Sequence, residues 1–174
     1  MKINISCKIE KAISRDQTRH AITAPWLTVD SKVIATDGKI LAVIPCEVNE
    51  GDVPGYIPTD ALKASRKGRG ATGEMALTRA ECQVLNGATF PADNERTAPD
   101  WTAVIPPADR PIKMRVALDP ERLAALAESM GAGAVILEIE DESSPITVRP
   151  ASKGHGDAPA EPGAFGVIMP CRFI

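Results

Sequence analysis

KVIATDGKILAVIPCEV, residues 32–48, consists of two apolar runs joined through Asp37-Gly38. An aspartate–glycine pair between such runs signals a hairpin. Glycine enters left-handed backbone without a Cβ penalty, and the aspartate carboxylate accepts nearby backbone N–H groups. The stretch closes on AVIPC (42–46), and related runs recur as AVIPP (103–107) and VIMPC (167–171). Their prolines, Pro45, Pro106 and Pro170, lie 61 and 64 residues apart. Recurrence at a nearly fixed interval marks a repeated structural unit, and this interval is too long for a helical solenoid.

Aligned on that run, the chain divides into three units. In the first, about 1–49, KINISC alternates as a strand and KIEKAISRDQ is a short polar helix candidate. AITAPWLTVD and residues 32–48 add strands, with a further turn at Asp30-Ser31. In the second, 50–107, YIPTDALKASRKGRG reads as a short strand and then a helix, capped by Thr59 or Asp60 and closed by glycine. GEMALTRAECQVLNGATFPA follows as a hairpin with Asn86-Gly87 in a turn, and PDWTAVIPP as a closing strand.

The third unit opens with the strand IKMRVALD. Asp119 is placed to cap a helix whose first residue is Pro120, where the missing N–H costs nothing. Leu123, Leu126, Ala127 and Met130 are spaced for one buried face, and Gly131 or Gly133 ends the helix. AVILEIED and SPITVRP predict a hairpin around 141–144, ASKGHGDAPAEPG a mobile loop, and FGVIMPCRFI the last strand. Each unit predicts strand, helix, then antiparallel strands. The expected fold class is therefore α+β, with helices on one face of the sheets.

Composition narrows the function. Of 174 residues, 44% are hydrophobic and only 3% aromatic, so Val, Ile, Leu and Ala must build the core. A net charge of −3 excludes a uniformly basic nucleic-acid binder but permits positive charge gathered on one face. No apolar run approaches the roughly 18 residues of a membrane helix. MKINISCKIEKAIS lacks the apolar stretch of a signal peptide, so a cytoplasmic location is expected. Cys7, Cys46, Cys82 and Cys171 are scattered, without a C-x-x-C pair or a nearby histidine, and read as small packed thiols rather than zinc ligands. Cys46 and Cys171 occupy equivalent places in two units. His20, at a strand start, and His155, in the loop, pair with no nucleophile; Asp37, Asp100 and Asp119 read as turn or cap residues. There is no phosphate-binding glycine loop and no hydrolase motif. The expectation is a non-enzyme without cofactor or metal.

Ala35-Thr36-Asp37-Gly38 with Leu41-Ala42 resembles the ATDG-x-x-LA strand of the bacterial sliding clamp family, the β subunit of DNA polymerase III. Pro99-Asp100-Trp101 with Val104-Ile105-Pro106 resembles that family's Pro-Asp-aromatic segment and the Val-Leu/Ile-Pro strand after it. Met169-Pro170-Cys171-Arg172-Phe173 resembles its carboxyl-terminal Met-Pro-Met-Arg-Leu. The resemblance implies that 1–107 matches the family's middle domain, as half-domains of about 1–49 and 50–107. Residues 108–174 match the second half of its last domain, with the tail at its end.

It also implies a hydrophobic cleft for short peptide motifs of polymerases and the clamp loader. Thr36, Gly38, Lys39 and Leu41 would form one wall, Pro99 and Val104 another, and Ile168, Met169, Pro170 and Arg172 the tail. Ala103 stands where the family usually has arginine, and Lys39 where it often has histidine, which alters the polar contacts there. Trp101 would pack beneath the cleft. In sliding clamps the helices face DNA without reading bases. Here Lys8, Lys11, Arg15 and Arg19 surround the first helix candidate, and Lys63, Arg66, Lys67 and Arg69 follow through the second. Their other reading is a set of solvated helix faces. The third helix sets Arg122 against Glu121 and Glu128 and attracts phosphate poorly.

The implied function is a non-enzymatic processivity or tethering factor that holds a DNA polymerase or another client on DNA. An odd number of half-domains leaves a sheet edge open, so a homo-oligomer is expected. The alternative is an adaptor or decoy that binds clamp-motif peptides of polymerase or loader without encircling DNA.

Overall fold

The computed structural model describes residues 1–68, 71–93, 96–151 and 164–172. These form a mixed α+β chain with three small antiparallel sheets and two α-helices among the described residues. It divides into two units, Met1–Ile105 and Pro106–Ile174.

In the first unit, β1 (Trp26–Leu27), β2 (Lys32–Thr36), β3 (Leu41–Pro45) and β4 (Gly55–Tyr56) make a sheet in the order β3-β2-β1-β4. The hairpin expected at Asp37-Gly38 is present, with Thr36 opposite Leu41 and Lys32 opposite Pro45. Gly38 has a φ of 90°, and the Asp37 carboxylate accepts from the N–H groups of Lys39 at 2.8 Å and Ile40 at 2.9 Å. The turn between β1 and β2 places Ser31 at φ 58°. Helix α1 (Thr59–Ser65) follows, then β5 (Met75–Leu77), β6 (Glu81–Val84) and β7 (Thr89–Pro91) in the sheet β5-β6-β7.

The segments that lead into the two halves are exchanged. Lys2 bridges both Glu47, just past β3, and Glu74, just before β5. The Lys2 N–H donates to the Glu47 carbonyl at 2.7 Å, and the Met75 N–H donates to the Met1 carbonyl at 2.9 Å. In return β4, which leads into α1, pairs with β1 of the first half. The two meanders therefore close over one core that includes Met1, Val33, Ile57, Leu62 and Leu77. At its margin the Met1 ammonium meets the Asp52 carboxylate, which also accepts from the N–H groups of Asn49 and Leu77.

The second unit contains α2 (Pro120–Ser129) and β8 (Ala134–Glu138), β9 (Ile146–Ala151) and β10 (Gly166–Ile168), ordered β10-β9-β8. Asp119 caps α2, accepting from the N–H groups of Glu121 at 2.9 Å and Arg122 at 3.3 Å. Leu123, Leu126 and Met130 pack on buried Ile146, Val148 and Ile168. Asp119→Ala removes the cap acceptor and is expected to lower stability by about 0.5–2 kcal/mol, readable in thermal unfolding with loss of helical signal.

Several expected elements differ. KIEKAISRDQ forms only a 3₁₀ turn, Ile9–Ala12, without a side-chain cap. Downstream, the Ser14 hydroxyl and Asp16 carboxylate accept local N–H groups from Asp16 and Thr18, a competing use of backbone that disfavours helix. His20 starts no strand; His20–Ile22 is a 3₁₀ turn, and the strand after Pro25 is two residues long. KINISC and IKMRVALD contribute isolated bridges at Lys2 and Ala117 rather than strands. Helix α1 begins at Thr59 behind Pro58, with no capping side chain.

The middle proline run is not a strand either. Thr102–Val104 is a 3₁₀ turn, tied by the Ile105 N–H to the Thr102 carbonyl at 3.2 Å, and Pro106 and Pro107 then lack ladder donors. Of the three related runs, one is a full strand and one a partial strand ending at Ile168. The expected loop lies from residue 152 to 163 outside the described residues, together with His155.

Candidate functional site

Three of the basic candidates converge. Lys11, on the Ile9–Ala12 turn, Arg15 just after it, and Lys63, on α1, line one cleft of about 620 Å³. Ser14, Gln17, Thr23 and Thr59 add hydroxyl and amide groups. Lys63 lies 3.3 Å from Asp60, but both are well exposed, so the pair is weak and leaves the lysine responsive to another anion.

Arg66 is turned inward instead. Its guanidinium donates to the Cys7 carbonyl and the Glu10 carboxylate, both at 2.5 Å, and only 13% of its side chain is exposed. Its charge is matched by Glu10, so Arg66 leaves the set of available phosphate contacts and joins the first turn to α1. Burial raises the Glu10 carboxyl, but the hydrogen bond and charge of Arg66, with Lys63 nearby, hold it below its ordinary value. Glu10 Oε2 is buried without a hydrogen-bond partner among the described residues.

Lys8 is exposed apart from this cleft's lining, and Lys67 borders a smaller one of about 200 Å³ with Ser65, Thr72 and Leu85. Arg69 lies outside the described residues. Arg19 donates to the Asp37 carbonyl at 2.9 Å and lies where a Cβ on Gly38 would sit 2.5 Å from Nη2. It braces the hairpin turn, and the φ of 90° at Gly38 would strain any other residue there. On α2, Arg122 pairs with Asp119 at 3.2 Å, beside exposed Glu121 and Glu128.

Thr36, Gly38, Lys39 and Leu41 share one hairpin end. The Thr36 hydroxyl donates to the Ile40 carbonyl at 2.6 Å and accepts from the Gly38 N–H at 3.0 Å, so it shapes the turn. Ile40, which the sequence pattern did not single out, is 54% exposed at the same end. Trp101 lies at the opposite end of β2, its ring centroid 5.9 Å from Lys32 Nζ, and not beneath the hairpin turn. Pro99 is half-buried, and Val104 is exposed on the 3₁₀ turn.

In the second unit Ile168 faces inward, buried with Ile146 and Val148, and so cannot serve as a wall for a ligand. Met169 is exposed, Pro170 half-buried and Arg172 exposed. Between them, the Cys171 N–H donates to the Ala117 carbonyl at 2.8 Å.

Arg96 is the residue that no local pattern marked. It donates to the His20 carbonyl at 3.0 Å and the Thr23 hydroxyl at 2.7 Å, pairs with Asp93, and covers the Tyr56 ring at 4.4 Å. These partners span the unit, which is why spacing could not reveal them. Cys82 is buried and its thiol is pushed up to about 11 by that burial; Cys46 is raised likewise, so neither is a ready nucleophile. Among the described residues no group of three His, Cys, Asp or Glu could hold a metal ion. No described helix is long and apolar enough to cross a membrane.

A scan against protein-family models, a search of curated proteins and a search of solved structures each found no match.

Proposed function

We propose that this chain is a sliding-clamp-like tethering factor, which holds a DNA polymerase or another client on DNA through a peptide-binding surface. The observation that carries this reading is the convergence of Lys11, Arg15 and Lys63 on one cleft. They come from the two halves of a unit whose lead segments are exchanged. Such a surface meets phosphates without reading bases, as a protein that slides requires.

The three-unit pattern finds support as well. A helix or helical turn precedes each three-stranded antiparallel run: Ile9–Ala12 before β1–β3, α1 before β5–β7 and α2 before β8–β10. The lead residues Lys2 and Ala117 each bridge the chain just beyond a recurring proline, at Glu47 after Pro45 and at Cys171 after Pro170. DNA, a polymerase and a clamp loader are the proposed partners, and the chain self-associates. The acidic face of α2 and the inward Arg66 favour a second reading, an adaptor or decoy that binds clamp-motif peptides without encircling DNA.

Retention on nicked circular against linear DNA, measured beside binding to a clamp-motif peptide, separates the two. The clamp reading expects both peptide binding and retention only on the circle. Peptide binding without topological retention selects the adaptor, and loss of both rejects each. Lys11→Ala, Arg15→Ala and Lys63→Ala combined should weaken DNA binding and flatten its salt dependence by about 0.9 in log–log slope per lost contact. An unchanged slope would remove the cleft from the DNA surface.

A further inference from the structure

The cleft lined by Lys11, Arg15 and Lys63 carries more unmatched charge and more hydrogen-bond donors than a sliding contact needs. Lys11 and Arg15 are exposed and have no ion pair among the described residues, and Lys63 has only its weak pair with Asp60. Glu10, the carboxylate in the lining, is matched by Arg66 and so does not cancel these charges.

Uncharged donors lie in the same wall. Ser14 is only 7% exposed; its hydroxyl accepts from the Asp16 N–H at 3.1 Å, and its own proton has no acceptor among the described residues. The Gln17 amide and the Thr59 hydroxyl likewise have no hydrogen-bond partner among them. A buried hydroxyl with an unused proton calls for an acceptor, and the cations beside Ser14 favour an anionic one. Hydroxyl and amide donors are also directional. A concave wall of them holds one group in one place, whereas sliding relies on solvated charges that a strand passes over.

Charge and space set the form of that anion. An internal phosphodiester carries a single negative charge and has strand on both sides of it. A phosphomonoester carries about −1.5 to −2 near neutral pH, which two unpaired cations and a third lightly held one neutralise. The volume of about 620 Å³ falls within the range of about 300–1,000 Å³ typical of small-molecule sites, so a nucleoside has room beside its phosphate. A duplex is too wide to enter; a strand end or a free nucleotide is not.

We infer that this cleft captures the 5′-phosphomonoester of a nucleotide, free in solution or at the phosphorylated end of a DNA strand. This rests on the reading of the cleft as a phosphate contact and names the form of phosphate it takes. Lys11, Arg15 and Lys63 neutralise the phosphate, while Ser14, Gln17 and Thr59 donate to its oxygens. On DNA, such a site makes 5′-phosphorylated ends preferred stopping places.

Fluorescence anisotropy with the full-length chain tests this on a short labelled duplex ending in a 5′-phosphate or a 5′-hydroxyl. The phosphorylated duplex should bind about tenfold tighter or more, the gain expected from one charge-assisted hydrogen bond. Calorimetry with dAMP against deoxyadenosine separates the two sources. A preference for the phosphorylated end without dAMP binding assigns the site to strand ends, and dAMP binding without an end preference assigns it to free nucleotides. Lys11→Gln/Arg15→Gln, at two exposed positions, should abolish either signal, and Lys8→Gln, outside the lining, should leave it unchanged. Equal binding of the two ends together with no dAMP binding would overturn the proposal, as would a signal that persists in Lys11→Gln/Arg15→Gln. That negative result, with the salt slope still reduced by the triple alanine variant, would reject the phosphomonoester and keep the cleft as a DNA surface. A preference for phosphorylated ends without retention on circular DNA would instead reject tethering and keep the site.

Discussion

Gly73→Ala should be among the most damaging single changes in the first unit. Gly73 has a φ of 73°, and a Cβ there would lie 2.0 Å from the Ile3 carbonyl oxygen, a backbone atom held by the sheet. Left-handed backbone costs an alanine about 1–2 kcal/mol. Relieving the collision also breaks the Ile3 N–H to Gly73 carbonyl bond and its neighbour from Met75 to Met1, at about 1 kcal/mol each. A total near 3 kcal/mol corresponds to a fall in Tm of more than about 10 °C for a unit of this size. Gly51→Ala is the control: its φ is 91°, but none of the described residues comes within 4 Å of the added Cβ, so only the backbone cost remains. Equal losses in the two variants would show that residues 1–3 are not seated between β3 and β5.

The second large effect is at the Arg66–Glu10 pair. Arg66→Ala leaves a carboxylate that is only 14% exposed without its partner, and losing a part-buried, charged hydrogen bond of this kind costs about 1.5–3 kcal/mol. Glu10 is held below its ordinary value in the folded chain, so its contribution is present at neutral pH and is lost as pH falls through the carboxylate range. The gap between wild type and Arg66→Ala in urea unfolding should therefore be widest near neutrality and narrow in acid. Adding Glu10→Gln to Arg66→Ala should recover part of the loss, since an amide is cheaper to bury than an unpaired charge. A gap that does not change with pH would mean that Arg66 acts only through its contact with the Cys7 carbonyl.

Elements whose cause is local were legible in the chain. The Asp37-Gly38 hairpin, the Asn86-Gly87 turn and the Asp119-Pro120 helix start each depend on side chains within a few residues of the backbone they shape. The apolar spacing of α2 likewise marked Leu123, Leu126 and Met130, which pack on the core. The first helix candidate failed because its polar residues turn back on their own backbone. AVIPP failed as a strand because two prolines follow a 3₁₀ turn where a partner would need N–H donors. The site divides in the same way. Basic residues could be counted from the sequence, but Arg66 and Lys63, three positions apart on and just after α1, face opposite fates, one neutralised by Glu10 and the other open on a cleft.

The sequence by itself determined the turns, the cap of α2, its apolar stripe and the α+β class, because each follows from short-range sterics and hydrogen bonding. Only the tertiary structure decided that residue 2 bridges residues 47 and 74, that β4 crosses to β1, and that Arg96 joins His20, Thr23 and Tyr56. The physical reason is that these contacts join segments tens of residues apart. Their partner is selected by shared burial in one core and not by any preference of the neighbouring chain.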